Sequence, residues 1–261
     1  MYFDTHIHLN SDKYEDNFEE HFKEMLDSGV KYFVCPGYDL ESSKKAIELA
    51  EKYEEIYALV GIHPEAANRY TENDLKEIEN LAKHKKVVGI GEIGLDYYWV
   101  KDNKEEQKEL LIKQIEIANR LDLPVVLHIR DATIDIIELL KNNNVERKGI
   151  FHCVPLNEHL IKEGLKLGYH ISFSGNITFK NAKPEGSVEL VPLDKILVET
   201  DGPYLTPHPF RGKMNSSKYL KYIVEKLSEL KGIDVEMLKK QLMENSKKIY
   251  RMDWCLKRKE F

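Results

Sequence analysis

The stretch Tyr2-Phe3-Asp4-Thr5-His6-Ile7-His8 begins as a short apolar run and ends with two histidines one residue apart. Similar runs, several of them rich in Val and Ile, recur along the chain and alternate with longer amphipathic segments. The runs are Tyr2–Ile7, Val30–Cys35, Tyr57–Ile62, Val87–Ile90, Pro124–Ile129, Gly149–Phe151, Tyr169–Phe173 and Lys195–Val198. Such runs are typical of strands buried on both faces of a parallel sheet. Their alternation with helical segments predicts a series of βαβ units.

The clearest helical segment begins after Asn103, which we interpret as its N-cap because Glu106 follows three residues on. Apolar residues from Leu110 to Leu121 share one face of this helix, and Pro124 opens the next strand. Eight such units in 261 residues predict an α/β fold, a single (β/α)8 TIM-type barrel. An open doubly wound sheet is the alternative.

We expect residues 1–261 to form a single domain, because the chain shows no long linker, repeat or low-complexity segment. The Pro- and Gly-rich stretch Gly202–Gly212 is interpreted as a loop after the eighth strand. The segment from Ser216 onward predicts one or two C-terminal helices that close the barrel.

The composition, with 42% hydrophobic and 32% charged residues, fits a soluble globular protein. No apolar run approaches the roughly 20 residues of a membrane span. The sequence that starts at Met1 has no basic region followed by an apolar region, so no secretory signal is visible. We therefore expect no membrane association. Cys35, Cys153 and Cys255 are odd in number and far apart, which argues against a disulfide framework and for a cytoplasmic location. No feature indicates an obligate protein partner.

Metal-capable side chains fall where the predicted strands end. His6 and His8 are two residues apart on the first strand and therefore point to the same side. The others are Glu92 at the end of the fourth strand, His128 of the fifth, His152 of the sixth and Asp201 of the eighth. Barrel enzymes place their active sites at the C-terminal ends of the strands. The sequence therefore predicts that these six potential ligands meet at one mouth.

Each potential ligand also has an ordinary structural interpretation. Glu92 could pair with Arg130, and Asp201 could be a turn residue. His128 could be a hydrogen-bonded core histidine. We favour one shared site because buried carboxylates and imidazoles placed together without a cation carry a large desolvation cost.

The remaining histidines need separate interpretations. His63, in Gly61-Ile62-His63-Pro64 after the third strand, is interpreted as a contact to a substrate phosphate, since no ligand is adjacent. His152 lies beside Cys153, so a His/Cys zinc pair is conceivable, although no other cysteine has ligand spacing. The others are interpreted as structural or solvated: His21, His84, His159, His170 and His208.

Together the motifs resemble those of the TatD family of metal-dependent deoxyribonucleases, within the amidohydrolase-like barrels. The resemblance covers the chain to about residue 250 and rests on Asp4–Leu9, Gly61–Pro64, Gly91–Tyr98, Pro124–Ala132, Ser172–Gly175, Glu199–Leu205, Arg211-Gly212 and Asn215. The family often has His-x-Phe-x-Gly at strand six and a second His or Asp near His63. Here Cys153-Val154-Pro155-Leu156 follows His152, and Glu65 stands near His63.

The resemblance implies a site for two divalent metal ions. One ion would be surrounded by His6, His8, Glu92 and Asp201, and the other by Glu92, His128 and His152, with Glu92 bridging. The implied activity is hydrolysis of phosphodiester bonds in DNA, commonly as a 3′-to-5′ exonuclease with Mg²⁺ or another divalent ion. Mixed nitrogen and oxygen ligands suit Zn²⁺, Mn²⁺ or Co²⁺, whereas Mg²⁺ prefers oxygen.

Glu92 and Asp201 are the candidate catalytic residues. Glu92 can bridge two ions, and Asp201 can orient the attacking water or accept its proton. His63 and Arg130 are the candidate substrate-binding residues, and Arg130 can hold a phosphate by bidentate hydrogen bonds. A structural pair between Arg130 and a ligand carboxylate is the alternative.

Other activities fit the same constellation. A small-molecule amidohydrolase or phosphotriesterase relative could use it, although many of these bridge their metals with a modified lysine where Glu92 stands here. A D-aminoacyl-tRNA deacylase would act on RNA, and a non-catalytic binding barrel would be expected to lack a ligand. The net charge of −6 disfavours broad binding of duplex DNA, so we expect better action on single strands.

Overall fold

The computed structural model describes residues 1–252; Cys255 lies outside the described residues. Within that range eight parallel strands form one sheet in which each strand pairs with the next along the chain. The strands are β1 Tyr2–Asp4, β2 Val30–Pro36, β3 Ile56–Val60, β4 Val87–Asp96, β5 Val125–Arg130, β6 Gly149–Phe151, β7 His170–Phe173 and β8 Ile196–Val198. The predicted α/β barrel is confirmed.

The first and last strands are joined by hydrogen bonds just beyond their C-terminal ends. Both the backbone N–H and the hydroxyl of Thr5 donate to the carbonyl of Val198, at 3.3 and 2.9 Å. The backbone N–H of Asp201 donates to the carbonyl of His6 at 3.0 Å. These bonds bring the segments after β1 and β8 together at the mouth of the barrel.

Helices cover the outside of the sheet. They are α1 Phe18–Asp27, α2 Leu40–Lys52, α3 Glu72–Leu81, α4 Lys104–Arg120, α5 Thr133–Asn142, α6 Glu158–Lys166, α7 Glu185–Glu189, α8 Leu220–Lys231 and α9 Val235–Ile249. Capping boxes at Asp39 and Thr71 begin α2 and α3, because each side chain accepts a hydrogen bond from a first-turn N–H. The last two helices confirm the C-terminal helices expected after Ser216.

The predicted capping role of Asn103 is wrong in its detail. Asn103 does precede α4, but its side chain makes no capping hydrogen bond. Instead its Oδ1 accepts from Gln107 Nε2 at 2.8 Å. Gln107 is fully buried, and its Oε1 also accepts from the backbone N–H of Asp96. The side chain of Gln107, and not that of Glu106, therefore connects the start of α4 to the end of β4.

Side chains on the strands alternate between two apolar clusters, as the pleat of a strand requires. Phe33 and Val60 belong to the larger cluster, which packs against the helices. Val34 and Leu59 belong to a smaller one, which we place inside the barrel. Tyr250, just after α9, joins this second cluster and donates its hydroxyl to the carbonyl of Thr5 at 3.1 Å.

Strand β4 is longer than the sequence suggests, so Glu92 lies within it rather than at its end. The pairing of β4 with β5 shifts register between Ile90 and Ile93. Gly94 has φ +147°, and a Cβ on it would lie 2.0 Å from the carbonyl oxygen of His128. Glycine at position 94 therefore allows β4 to continue past Ile90 in close contact with β5.

The described residues bear on two expectations, the absence of membrane-spanning helices and the state of the cysteines. No helix among them is long and apolar enough to cross a membrane. Cys35 and Cys153 are both free thiols, the first buried and the second half-buried. The Sγ atom of Cys153 lies 3.1 Å from the hydroxyl of Ser174, and neither thiol belongs to a group of potential metal ligands among residues 1–252.

Candidate metal centre

His6 and His8 lie beyond the end of β1, not on the strand as predicted, yet their side chains meet. The backbone between them keeps strand-like bonding, because Ile7 N–H donates to the carbonyl of Val34 at 3.0 Å. The Nε2 atoms of the two histidines are 3.4 Å apart. The side chains of His6 and His8 therefore point the same way, as expected, although the segment that carries them follows β1 and is not part of it.

The carboxylate of Glu92 lies at the centre of the cluster, and the side chain is 6% exposed. Its Oε2 atom faces His6 Nε2 at 3.4 Å and His8 Nε2 at 3.5 Å. Its Oε1 atom faces His128 Nδ1 and His152 Nε2, both at 2.9 Å. The two oxygens of one carboxylate therefore face two separate pairs of histidines.

Asp201 closes the side of the cluster next to β1. Its Oδ1 atom lies 3.4 Å from His8 Nε2 and 3.9 Å from His6 Nε2. The residue has φ +54°, a left-handed conformation that is uncommon outside glycine and enriched at functional sites. The turn after β8 thus directs this carboxylate toward the same two histidines that face Glu92 Oε2.

His63 lies closer to the cluster than a residue that contacts only substrate needs to be. Its Nε2 atom is 3.7 Å from Glu92 Oε1, and its ring meets that of His128 edge to face at 4.6 Å. Burial, together with the nearby charge of His128, lowers the pKa of His63 to about 3. It is therefore an uncharged imidazole at neutral pH, which suits either a hydrogen bond to a phosphate or metal ligation.

The donor atoms fit divalent cations. Three overlapping sets of donor atoms lie within 4.8 Å of one another: His6, His8 and Glu92; His6, His152 and Asp201; and His63, Glu92 and His128. The distances of 3.4 and 3.5 Å from Glu92 Oε2 to the first two histidines exceed the usual N–H···O range of about 2.7–3.2 Å. Ligands about 2.1 Å from a shared ion lie about 3.0–3.4 Å apart, so this spacing suits a cation between them.

The electrostatics of the cluster keep Glu92 ionised. Burial by itself raises the pKa of this carboxyl group, but the charge of His152 and hydrogen bonds from His128, His152 and His6 outweigh it. The net effect is a pKa well below the usual value. A ligand that bridges two cations must be ionised, and each of its oxygens must face a different group of ligands. Glu92 meets both conditions.

Two carboxylates behind the histidines were not predicted from the sequence. Asp96 Oδ2 lies 2.9 Å from His128 Nε2, and Glu199 Oε1 lies 3.1 Å from His152 Nδ1. Both carboxylates are fully buried. Such partners fix the ring orientation of ligand histidines. Asp96 lies four residues after Glu92 on β4, a spacing that places both on one face of the strand. The predicted fourth run ends at Ile90, so the sequence pattern did not indicate that Asp96 lies on this strand.

Two further buried residues hold the chain around the centre. Asp4 accepts hydrogen bonds from the hydroxyls of Thr200 and Ser217, at 2.5 and 2.6 Å, and from the Thr200 backbone. Asn215 Nδ2 donates to the carbonyls of Thr200 and Tyr204. These contacts fix the loop after β8, which carries Asp201.

Arg130 does not form the structural ion pair considered as an alternative. Among residues 1–252 no carboxylate lies within ion-pair distance of its guanidinium, and Glu92 is surrounded by histidines instead. The guanidinium lies over the ring of Tyr98, 4.0 Å from its centroid. The side chain is therefore placed beside the cluster and not within it.

Of the other histidines, those in the described structure lie outside the three sets of potential ligands, as expected. His84 pairs with Glu51 on the surface at 3.1 Å, and His21 packs edge to face on Tyr14. His170 is buried in β7, and its Nδ1 atom has no hydrogen-bond partner among residues 1–252. His208 is exposed in the loop after β8.

Comparison with known proteins identifies the family. The family profile described as TatD related DNase matches residues 3–251. The chain belongs to the TatD family. It is 43% identical to the "uncharacterized metal-dependent hydrolase YabD" of Bacillus subtilis, over 97% of this chain and 100% of that protein. It is 33% identical to the Escherichia coli protein YcfH, described in the same words, over 96% of each chain.

A solved structure of the TatD family supports the same conclusion. The crystal structure of YJJV, a TatD homolog from Escherichia coli, superposes with a TM-score of 0.90 at 28% identity and covers 96% of this chain and 98% of that one. The chain is therefore a metal-dependent hydrolase with a TatD-type barrel, and its histidine and acidic cluster is able to hold metal.

Proposed function

We propose that this TatD-family hydrolase cleaves phosphodiester bonds in DNA, as a 3′-to-5′ exonuclease that acts best on single strands. We further propose that it uses two divalent ions, held by His6, His8, Glu92 and Asp201 on one side and by Glu92, His128 and His152 on the other. The observation that carries this proposal is the division of donors between the two oxygens of Glu92. A carboxylate in that position can bridge two cations.

The chemistry of a phosphodiester fits this centre. Two divalent ions would activate water at neutral pH and neutralise the charge that develops on the phosphate oxygens. Asp201, on the Oε2 side of Glu92, is placed to orient the attacking water and accept its proton. His63 and Arg130 would hold the phosphate, because both lie beside the cluster and Arg130 has guanidinium N–H groups to donate.

Asp96 and Glu199 have positioning roles in this mechanism. Each accepts a hydrogen bond from the ring nitrogen of His128 or His152 that faces away from Glu92. This contact fixes which nitrogen faces the centre and raises the basicity of the imidazole. The buried environment around the carboxylates strengthens these interactions, since it excludes water.

The proposal is tested by a substrate panel on protein that has been chelated and then refilled with Mg²⁺, Mn²⁺, Zn²⁺ or Co²⁺. Substrates are 3′-labelled single-stranded DNA, blunt duplex DNA, RNA, a D-aminoacyl-tRNA and simple carboxyl and phosphate esters. We expect metal-dependent release of labelled nucleotides, fastest from single-stranded DNA at equal salt concentration. Faster cleavage within an intact duplex would contradict the single-strand preference. Turnover of only the small esters or the tRNA would replace the nuclease assignment with one of its alternatives.

A further inference from the structure

The loop after β4 carries exposed aromatic side chains next to the mouth of the barrel. Tyr98 is 47% exposed and Trp99 is 63% exposed, and their rings meet edge to face with centroids 4.8 Å apart. The guanidinium of Arg130, at the end of β5, lies 4.0 Å from the ring centre of Tyr98 and 5.3 Å from that of Trp99. These three residues are called the aromatic platform below. Adjacent exposed aromatics with a stacked arginine are typical of a binding surface.

An open surface depression lies beside Trp99. Its volume is about 390 Å³, and its lining residues are Glu65, Asn68, Arg69, Trp99 and Val100. The backbone N–H of Glu65 donates to His63 Nδ1 at 3.3 Å. One lining residue of the depression, Glu65, is therefore hydrogen-bonded to the histidine that we propose contacts the substrate phosphate.

Asp96 connects the platform to the centre through one buried carboxylate. Its Oδ2 atom lies 2.9 Å from His128 Nε2. Its Oδ1 atom accepts hydrogen bonds from the backbone N–H groups of Tyr98 and Trp99, both at 2.9 Å. The same side chain thus orients a histidine of the cluster and fixes the start of the platform loop. The platform is therefore held at a defined position relative to His128.

We propose that the aromatic platform binds a base of single-stranded DNA next to the scissile phosphate, by stacking on the indole of Trp99. This inference rests on the proposed nuclease function. Every nucleobase has a π face, so stacking gives affinity without sequence preference. Such a contact suits this protein because its net charge of −6 provides no broad attraction to a DNA backbone.

Arg130 completes the platform. The central carbon of its guanidinium lies over the ring of Tyr98, 4.0 Å from the centroid, and no carboxylate among residues 1–252 lies within ion-pair distance of it. The N–H groups at the edge of the guanidinium can therefore donate to a phosphate while its face stays on the ring. A nucleotide offers both features that this arrangement recognises, a flat base and an adjacent phosphate.

The inference is tested by binding a phosphorothioate oligothymidylate, which resists hydrolysis, to the metal-loaded protein. The comparison ligand is an abasic oligonucleotide with the same linkages and length. In Trp99→Leu we expect the Kd for oligothymidylate to rise about tenfold, whereas the Kd for the abasic strand stays unchanged. Trp99→Phe, which keeps an aromatic face, should recover most of the affinity. In a Trp254→Phe background Trp99 is the remaining tryptophan, and its fluorescence should be quenched by the thymidylate and not by the abasic strand.

Ile134→Ala provides a matched control. Ile134 is 65% exposed and lies near the start of α5, but it has no aromatic face. It should leave both Kd values unchanged. If Trp99→Leu behaves like Ile134→Ala while the wild-type protein cleaves DNA, the platform is overturned and the nuclease function stands. If the wild-type protein cleaves no DNA but shows base-dependent quenching of Trp99, the nuclease function fails and the platform is supported. Equal wild-type affinity for the two strands overturns the platform.

Discussion

Glu92→Gln is expected to lower bound divalent metal and turnover together. Glutamine keeps the size of the side chain but removes the charge that balances two cations, so at least one ion should be lost or held weakly. Changes to residues that only orient metal ligands typically cost about 10–100-fold. A change to the central carboxylate should therefore reduce kcat by about 100-fold or more. Mass spectrometric metal analysis and steady-state kinetics on a short single-stranded oligonucleotide measure the two quantities.

His63→Ala is the matched comparison, because His63 also lies near the same carboxylate, with Nε2 3.7 Å from Glu92 Oε1. We assign it to the substrate phosphate, so this variant should keep its metal and show a higher KM or a lower kcat. A loss of metal equal to that in Glu92→Gln would make His63 a ligand. Full metal content and full activity in Glu92→Gln would contradict the two-metal mechanism itself.

Gly94→Ala is expected to destabilise the barrel and disturb the centre at once. A Cβ at this position would lie 2.0 Å from the carbonyl oxygen of His128, and the backbone has φ +147°. Backbone strain of this kind costs about 1–3 kcal/mol, and forcing atoms into a packed interior costs about 1–3 kcal/mol more. For a chain of this size we expect a fall in Tm of about 10 °C. Activity should fall as well, since Gly94 lies between Glu92 and Asp96 on β4.

Gly232→Ala is the control, because it places an alanine at a positive φ without a steric clash. Gly232 has φ +62° at the end of α8, and a Cβ there would meet no atom within 4 Å. An alanine in this left-handed conformation should cost only about 1–2 kcal/mol and leave activity unchanged. Thermal unfolding followed by circular dichroism compares the two variants. Equal stability of Gly94→Ala and Gly232→Ala would contradict the close contact between Gly94 on β4 and the His128 backbone on β5.

Much of the fold could be predicted from the sequence because the strands of the barrel are buried on both faces. Such strands appear in the sequence as continuous apolar runs. The run Gly149–Phe151 corresponds to β6 without change, and the predicted second run differs from β2 by a single residue. The fourth run was the least accurate. The predicted run ends at Ile90, whereas β4 continues to Asp96 through two glycines, of which Gly94 packs against the backbone of His128. Glycine is a poor strand former by local preference, so this continuation depends on tertiary contact.

The candidate ligands could be predicted because they fall near strand ends, but the residues that support them could not. Asp96 and Glu199 act through contacts across 32 and 47 residues of sequence, and no local pattern separates such a carboxylate from a solvated one. The same applies to Trp99, whose position beside the mouth depends on the hydrogen bond to Asp96. The proximity of His63 to Glu92 also emerges only when β3 and β4 are placed side by side.

The most direct test of the proposed metal centre is an anomalous diffraction map of crystals soaked in Mn²⁺. We expect two peaks, one on each side of the Glu92 carboxylate. The first should be in contact with His6, His8 and Asp201, and the second with His128 and His152. A single peak that touches neither oxygen of Glu92, or peaks only at surface carboxylates, would contradict the proposed two-metal centre.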